Sequence, residues 1–301
     1  SGRGEISLPV LIEELDHAPS PADACAQLLD LPFPLLLESA ARGGSMGRYS
    51  YLTADPSQIW STHPSDDSDA LEEAAVYLAA HRADPVPGLP PFQGGVAGFL
   101  GYEFGRRLER LPAPRTDDLR LPDAWLGAYD WVVAWDHLEG RTWLIARRGS
   151  GEARTSPLST WWRGGQGVRT AEMQMPDVLR RLKGPVPAPP ATSVIRRQSS
   201  EFQSGFTRDE YLRAVERVRQ YILAGDIFQA NLSQRFEAPW PGDPFEFYRR
   251  LTVVNPAPFA AYFQGNGFAV ASASPERFLC VDPEGRVETR PIKGTRRRGE
   301  T

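Results

Sequence analysis

Three observations predict an α+β fold in which helices lie outside large sheets. Strand-like runs outnumber helical ones, the strands of the C-terminal third follow one another through tight glycine turns, and strand and helix do not alternate as parallel βαβ layers require. The pattern is that of a mixed sheet with few helices.

The first element is a short helix. Ser20-Pro21-Ala22-Asp23 supplies an N-cap, a proline at the first helical position and an early acid, and the helix runs toward Leu31. Pro34 to Ser39 and Arg48 to Thr53 are rich in apolar and aromatic residues, are separated by Gly43, Gly44 and Gly47, and read as strands. Asp66 to Ala83 has the length and the Ala, Leu and Glu content of a helix, which the prolines from Pro85 to Pro91 end. Phe92 to Phe104 reads as a strand interrupted by glycines. Ala128 to Trp135 and Arg141 to Arg147 flank Asp136 to Gly140 and read as a hairpin with a longer loop.

Residues 184–199 are dense in proline, alanine and serine and suit an extended connector. The expected organisation is a sheet-rich region over 1–183, this connector, and a second region over 200–301. In the latter, Thr207 with Glu210 makes a capping box, Tyr211, Val215, Val218 and Ile222 form an apolar stripe, and Gly225 closes the helix. Phe228 to Phe236 reads as a strand and Asp243-Pro244 opens another helix. Phe259 to Phe263, Gly267 to Ala273, Arg277 to Val281 and Arg286 to Thr289 read as strands.

Composition narrows the function. At 41% hydrophobic and 24% charged, with net charge −4, the 301 residues describe a folded protein without a basic face, so nucleic acid is not an expected partner. No apolar run approaches the roughly 20 residues that span a bilayer, so no membrane association is expected, and a cytoplasmic protein is the default. Cys25 and Cys280 stand far apart, and His17, His63, His81 and His137 never fall at metal-ligand spacing, so the expectation is no metal site among these residues.

Of the 34 basic side chains only Lys183 and Lys293 are lysine. A lysine amine can act as base or nucleophile where arginine cannot, so each lysine poses a chemical question. Lys183, in Arg-Arg-Leu-Lys-Gly-Pro, suits a solvated charge at a helix end. Lys293 sits in Arg-Pro-Ile-Lys-Gly-Thr, one hairpin after Ser274-Pro275-Glu276-Arg277-Phe278. If those strands pair across the Asp282 to Gly285 turn, Glu276 and Lys293 come to the same end, either as a nucleophile with its general acid or base or as an ion pair across a hairpin. The run from Gly94 to Tyr102 lacks the Gly-Lys-Ser/Thr ending of a phosphate loop and reads as strands bending and packing closely. The Trp161-Trp162 pair and the tyrosines at 49, 51 and 102 carry no assigned chemistry.

Three segments in order and spacing resemble the chorismate-utilising enzymes: Gly225-Asp226-Ile227-Phe228-Gln229-Ala230-Asn231-Leu232-Ser233-Gln234-Arg235, then Ser274 to Phe278, then Thr289-Arg290-Pro291-Ile292-Lys293-Gly294-Thr295. Leu35 to Ser39, Arg48-Tyr49-Ser50 and Phe92 to Glu103 look like the family's N-terminal region. The resemblance implies mixed and antiparallel sheets packed as a sandwich with helices outside. It also implies that Lys293 places the chain on the aminodeoxychorismate synthase component I branch, since anthranilate synthase component I and the isochorismate and salicylate synthases typically carry alanine there.

On that branch the Lys293 amine attacks C2 of chorismate with loss of the C4 hydroxyl, and ammonia then enters at C4 as the lysine leaves. Glu276 matches the general acid/base, and Gly294 and Thr295 lie where substrate is held. A glutamine amidotransferase partner supplies the ammonia. Some members of the family also bind tryptophan at a remote pocket, whose matching positions are Leu37, Ser39, Phe228, Pro258 and Phe259. Mg²⁺ is implied too, with carboxylates in motifs that follow Thr301 in family members, so a C-terminally truncated chain, inactive alone, is expected. Two alternatives are anthranilate synthase component I and a non-catalytic module that binds tryptophan or docks an amidotransferase.

Overall fold

The computed structural model describes residues 10–41, 46–112, 117–147, 169–188 and 202–294. The chain divides into two compact units, Ser1–Pro187 together with Pro244–Thr301, and Ala188–Asp243.

The larger unit is built on a seven-stranded sheet. Its strands are β1 (Val10–Glu14), β2 (Leu35–Glu38), β3 (Tyr49–Thr53), β7 (Trp131–Asp136), β8 (Arg141–Arg147), β11 (Phe259–Gln264) and β12 (Ala269–Ser274). They lie in the order β1-β8-β7-β3-β2-β11-β12, with every adjacent pair antiparallel. A second antiparallel sheet has the order β4-β6-β5, from β4 (Gln58–Thr62), β6 (Ala124–Tyr129) and β5 (Gly95–Leu100). The expected α+β class is what the chain adopts.

Strand alternation sorts the side chains of the large sheet onto two faces. Leu36, Leu52, Val133, Leu144 and Tyr262 form one core with helices α1 (Pro21–Ala26), α4 (Ala171–Leu182) and α6 (Pro244–Val254), which contribute Cys25, Val178 and Tyr248 among others. On the opposite face Leu35 and Phe263 meet Ile59, Trp125 and Tyr129 of the smaller sheet, while Val132, Ala134, Trp143 and Ile145 cluster with Leu89 and Phe92. Each buried Leu, Ile, Val or Phe among them contributes about 1.5–3 kcal/mol, so this two-faced sheet is a main source of stability. Helix α2 (Ala70–Ala80), capped by the Asp69 side chain, packs through Ala70 and Ala74 on Trp60 and Ala128 of the smaller sheet.

Several local expectations stand. Ser20 caps α1, its Oγ accepting from the Asp23 N–H, with Pro21 in the first turn. Lys183 sits at the C-terminus of α4 with its side chain 71% exposed, 3.8 Å from Glu13. Gly98 is required for close approach, because a Cβ there would lie 2.0 Å from the Trp125 carbonyl oxygen.

Others need correction. The run from Phe92 to Phe104 is strand only over β5; beyond it the chain makes a 3-10 turn, Tyr102–Phe104, and a short helix α3 (Gly105–Leu108). The run from Ala128 to Trp135 belongs to two sheets, with β6 ending at Tyr129 and β7 starting at Trp131. Continuous hydrophobicity there reflects burial on both sides of a change of sheet, which periodicity does not mark.

In the smaller unit α5 (Arg208–Ala224) has the expected capping box between Thr207 and Glu210 and ends at Gly225, whose φ is 80°. Beside it, β9 (Gln203–Ser204) pairs antiparallel with β10 (Phe236–Glu237). The strand expected over Phe228 to Phe236 is reduced to that two-residue pairing, since β9 offers no longer partner. Phe228 is 92% exposed. The Trp161-Trp162 pair and most of the expected connector lie outside the described residues.

Candidate functional site

The strands expected on either side of the Asp282 turn do pair. β13 (Arg277–Val281) and β14 (Val287–Arg290) run antiparallel with Arg277 opposite Arg290 and Val281 opposite Val287. The turn is closed by the Asp282 N–H on the Arg286 carbonyl at 3.1 Å and by the Arg286 N–H on Asp282 Oδ1 at 2.8 Å, with Gly285 at φ 80°. Glu276 precedes β13 and Lys293 follows β14, so both leave the open end of the hairpin, and both are exposed. Among the described residues they form no ion pair. Gly294 is exposed as well, with open space where a Cβ would stand. Thr295 lies outside the described residues.

That open end is tied by charge. Glu288 accepts from Arg290 at 2.7 Å and from Arg277 at 2.6 Å. Those two donors, Arg290 first, hold the Glu288 carboxyl below the usual carboxylate range.

The tryptophan positions divide between the two units. Leu37, Ser39, Pro258 and Phe259 line one cavity of about 430 Å³ in the larger unit, whereas Phe228 belongs to the smaller unit. Leu37, Tyr51 and Ala261 are neighbours across β3, β2 and β11 and floor the cavity, on the sheet face opposite the helices. Met46, Arg48, Tyr49, Pro91 and Arg277 also line it. Ser39 is 5% exposed, and its Oγ donates to the Tyr49 carbonyl at 2.7 Å and to that of Pro258 at 3.3 Å. The Ser39 N–H donates to Ser50 Oγ at 3.0 Å, so β2, β3 and the entry to β11 are pinned together at the cavity edge.

The charged groups of the lining have partners. Arg48 forms a fork on Asp136, with Nη2 to Oδ2 at 2.7 Å, and its guanidinium stands 4.9 Å from the Tyr49 ring centre. Glu38 accepts from the Tyr248 hydroxyl at 2.7 Å. Burial lifts the Tyr51 phenol well above its ordinary range, so Tyr51 stays neutral and presents a ring to the cavity. The arrangement suits a flat apolar molecule with a few polar groups at its margin. Sequence reasoning left Tyr49, Tyr51 and Arg277 out of this pocket. The signal available was alternation: Leu37 and Ser39, Tyr49 and Tyr51, Phe259 and Ala261 each stand two residues apart on neighbouring strands.

No group of three His, Cys, Asp or Glu residues able to hold a metal ion comes together among the described residues. No described helix is long and apolar enough to cross a membrane.

The family described as chorismate binding enzyme matches residues 34–301, and the chain belongs to it. An anthranilate synthase component 1 from Thermus thermophilus is 41% identical over 71% of this chain and 42% of that protein. The aminodeoxychorismate synthase component 1 of Salmonella typhimurium is 32% identical over 96% of this chain and 59% of that protein. The chain thus spans about half the length of the curated relatives it matches. In fold it is similar to the crystal structure of anthranilate synthase component I from Streptococcus pneumoniae, with a TM-score of 0.61 at 24% identity over 80% of this chain and 53% of that one.

Proposed function

We propose that the chain is the lysine-bearing part of an aminodeoxychorismate synthase component I, and that Lys293 is its nucleophile. One observation carries the reading: Lys293, in Arg-Pro-Ile-Lys-Gly-Thr, shares the open end of a paired hairpin with Glu276. The Lys293 amine bonds to C2 of chorismate, both ring double bonds shift by one position toward C4, and the C4 hydroxyl leaves as water after taking a proton from Glu276. Ammonia then adds at C4, both double bonds return, the lysine amine departs, and the proton shed by the added ammonia restores Glu276. Chorismate and ammonia thus become 4-amino-4-deoxychorismate and water. Gly294 and Thr295 would hold substrate beside the lysine, and a glutamine amidotransferase subunit would supply the ammonia. The reading includes Mg²⁺, held by carboxylates other than those described here.

A second reading is anthranilate synthase component I, favoured by the 41% identical relative of that name. A cavity with aromatic walls also fits tryptophan, through Leu37, Ser39, Pro258 and Phe259.

The experiment is chromatographic analysis of chorismate with ammonium and Mg²⁺, using this chain, a version extended to its relatives' length, and Lys293→Ala in each. Aminodeoxychorismate from a lysine-bearing form, falling at least about 10²-fold in the variant, is the expected result. Fluorescent anthranilate instead, or amination that survives Lys293→Ala unchanged, would overturn the assignment.

A further inference from the structure

The open end of the β13–β14 hairpin sets two arginines, Arg277 and Arg290, directly opposite each other. Nearer the turn, Cys280 stands opposite Glu288 and Val281 opposite Val287. Continued without a break, that ladder would set Phe278 against Arg290 and Arg277 against Pro291, which has no N–H to give. Instead the register shifts by one residue between Arg277 and Cys280, and β13 bulges. A one-residue shift turns the side chains beyond it to the other face, and here it brings Arg277 to the face that Glu288 and Arg290 share. Glu288 then offers one oxygen to each: Oε1 accepts from Arg277 Nη1 at 2.6 Å, and Oε2 accepts from Arg290 Nη2 at 2.7 Å.

We infer that Glu288 is a positioning residue whose carboxylate holds this bulged register and so sets where Lys293 stands relative to Glu276. The inference rests on the reading of Lys293 as nucleophile and adds the element that aims it. Register is ordinarily selected by which face of a strand is buried, but Phe278, Leu279, Val281 and Val287 are all exposed, so burial selects nothing here. Like charges directly opposite one another are destabilising, and the bulged register therefore depends on the anion between the two arginines. Glu276 is held from the other side. Ser274 Oγ, at the end of β12, donates to the Glu276 carbonyl at 3.2 Å and accepts its N–H at 3.4 Å. Lys293 follows Arg290 through Pro291 and Ile292, so its placement depends on where β14 lies against β13. Hydrogen bonds from Arg290 and Arg277 keep the Glu288 carboxyl ionised, and it acts through these arginines rather than on substrate. Without the carboxylate the guanidiniums repel, the unbulged ladder becomes the better one, and the chain leading to Lys293 moves by one residue.

The chain contains two lysines, so reductive methylation with ¹³C-formaldehyde labels Lys183, Lys293 and the N-terminal amine alone, and NMR follows the dimethyl-lysine signals. Glu288→Gln is expected to move the Lys293 signal while that of Lys183, exposed at the end of α4, stays in place. Glu284→Gln removes another exposed ion pair of the same hairpin, that with Arg286 at 3.1 Å, and is expected to leave both signals unchanged. In the version extended to its relatives' length, Glu288→Gln is expected to lower kcat for amination about 10- to 100-fold and to change KM for chorismate less than about 2-fold, as a misplaced nucleophile would. Adding Arg290→Gln to Glu288→Gln removes the repulsion. The double variant is expected to return the Lys293 signal toward its parent position and to recover most of kcat, a rescue that a side chain needed for substrate contact would not show. A Lys293 signal unchanged by Glu288→Gln, or a double variant no better than the single one in signal and in kcat, overturns the inference. If Lys293→Ala leaves amination unchanged, the assigned reaction falls, and the Lys293 signals by themselves still decide whether Glu288 places that lysine.

Discussion

The helix-backed face of the seven-stranded sheet and strand β13 of the β13–β14 hairpin are both rich in apolar residues, yet they are held together differently. Leu36, Leu52 and Leu144 are 0% exposed, whereas Phe278 is 83% and Val287 65% exposed. The sheet is stabilised by what it removes from water. The hairpin is held by backbone pairing and by the Arg277, Glu288 and Arg290 contacts, and exposed ion pairs of that kind contribute at most about 1 kcal/mol each. A two-stranded ribbon of this length is marginal by itself. The rigid region therefore carries the cavity floor, and the compliant one carries the residues assigned the chemistry.

Breaking the rigid side gives the largest expected change. Trp131 is 1% exposed in the core beneath α4, so Trp131→Ala should cost about 3–5 kcal/mol, read as a lower midpoint in urea unfolding. A loss under about 1 kcal/mol would mean that this face is not the stabilising one.

The next effect concerns the cavity rim, where Arg48 meets Asp136. Burial by itself would raise the Asp136 carboxyl, but the Arg48 guanidinium and the backbone N–H groups of Glu139 and Leu138 outweigh it and hold the group below its ordinary range. A pKa lowered on folding stabilises the protein above the unfolded value, near 3.9, and that contribution disappears as pH falls through the folded value. Asp136→Asn should therefore cost roughly 1–3 kcal/mol at neutral pH, with the gap to the parent protein closing on acidification below about pH 4. Urea midpoints at pH 7 and pH 3 measure it, and an equal gap at both would mean that the charge of Asp136 is not what holds Arg48.

How far the sequence reveals these two regions follows from the same difference. Elements with local signatures were legible: the Ser20 cap, the Thr207-Glu210 box, the Gly225 stop, and the Asp282 turn that brings Glu276 and Lys293 to one end. What escaped was set by distant partners. β1, β4, β6 and α4 lack an alternation or cap that marks them alone, and Pro176 interrupts the pattern of α4. Periodicity cannot say that the run around Asp130 changes sheet. The cavity was half legible, because Leu37, Ser39, Pro258 and Phe259 came from resemblance, while Tyr51 and Arg277 join them only through strand register and through the start of β13 beside Phe259.

The smallest expected effect tests the compliant side. Phe278 is 83% exposed and one residue from Arg277, so Phe278→Ser should change global stability by less than about 0.5 kcal/mol in urea unfolding. Hydrogen exchange of the β13 and β14 amides should likewise remain faster than that of β7 in both proteins, because a hairpin held by pairing and exposed charges opens without unfolding the sheet. If Phe278→Ser instead costs 2 kcal/mol or more on the scale of about 1.5–3 kcal/mol for a buried phenylalanine, the ring is covered in solution. The hairpin would then belong with the rigid region.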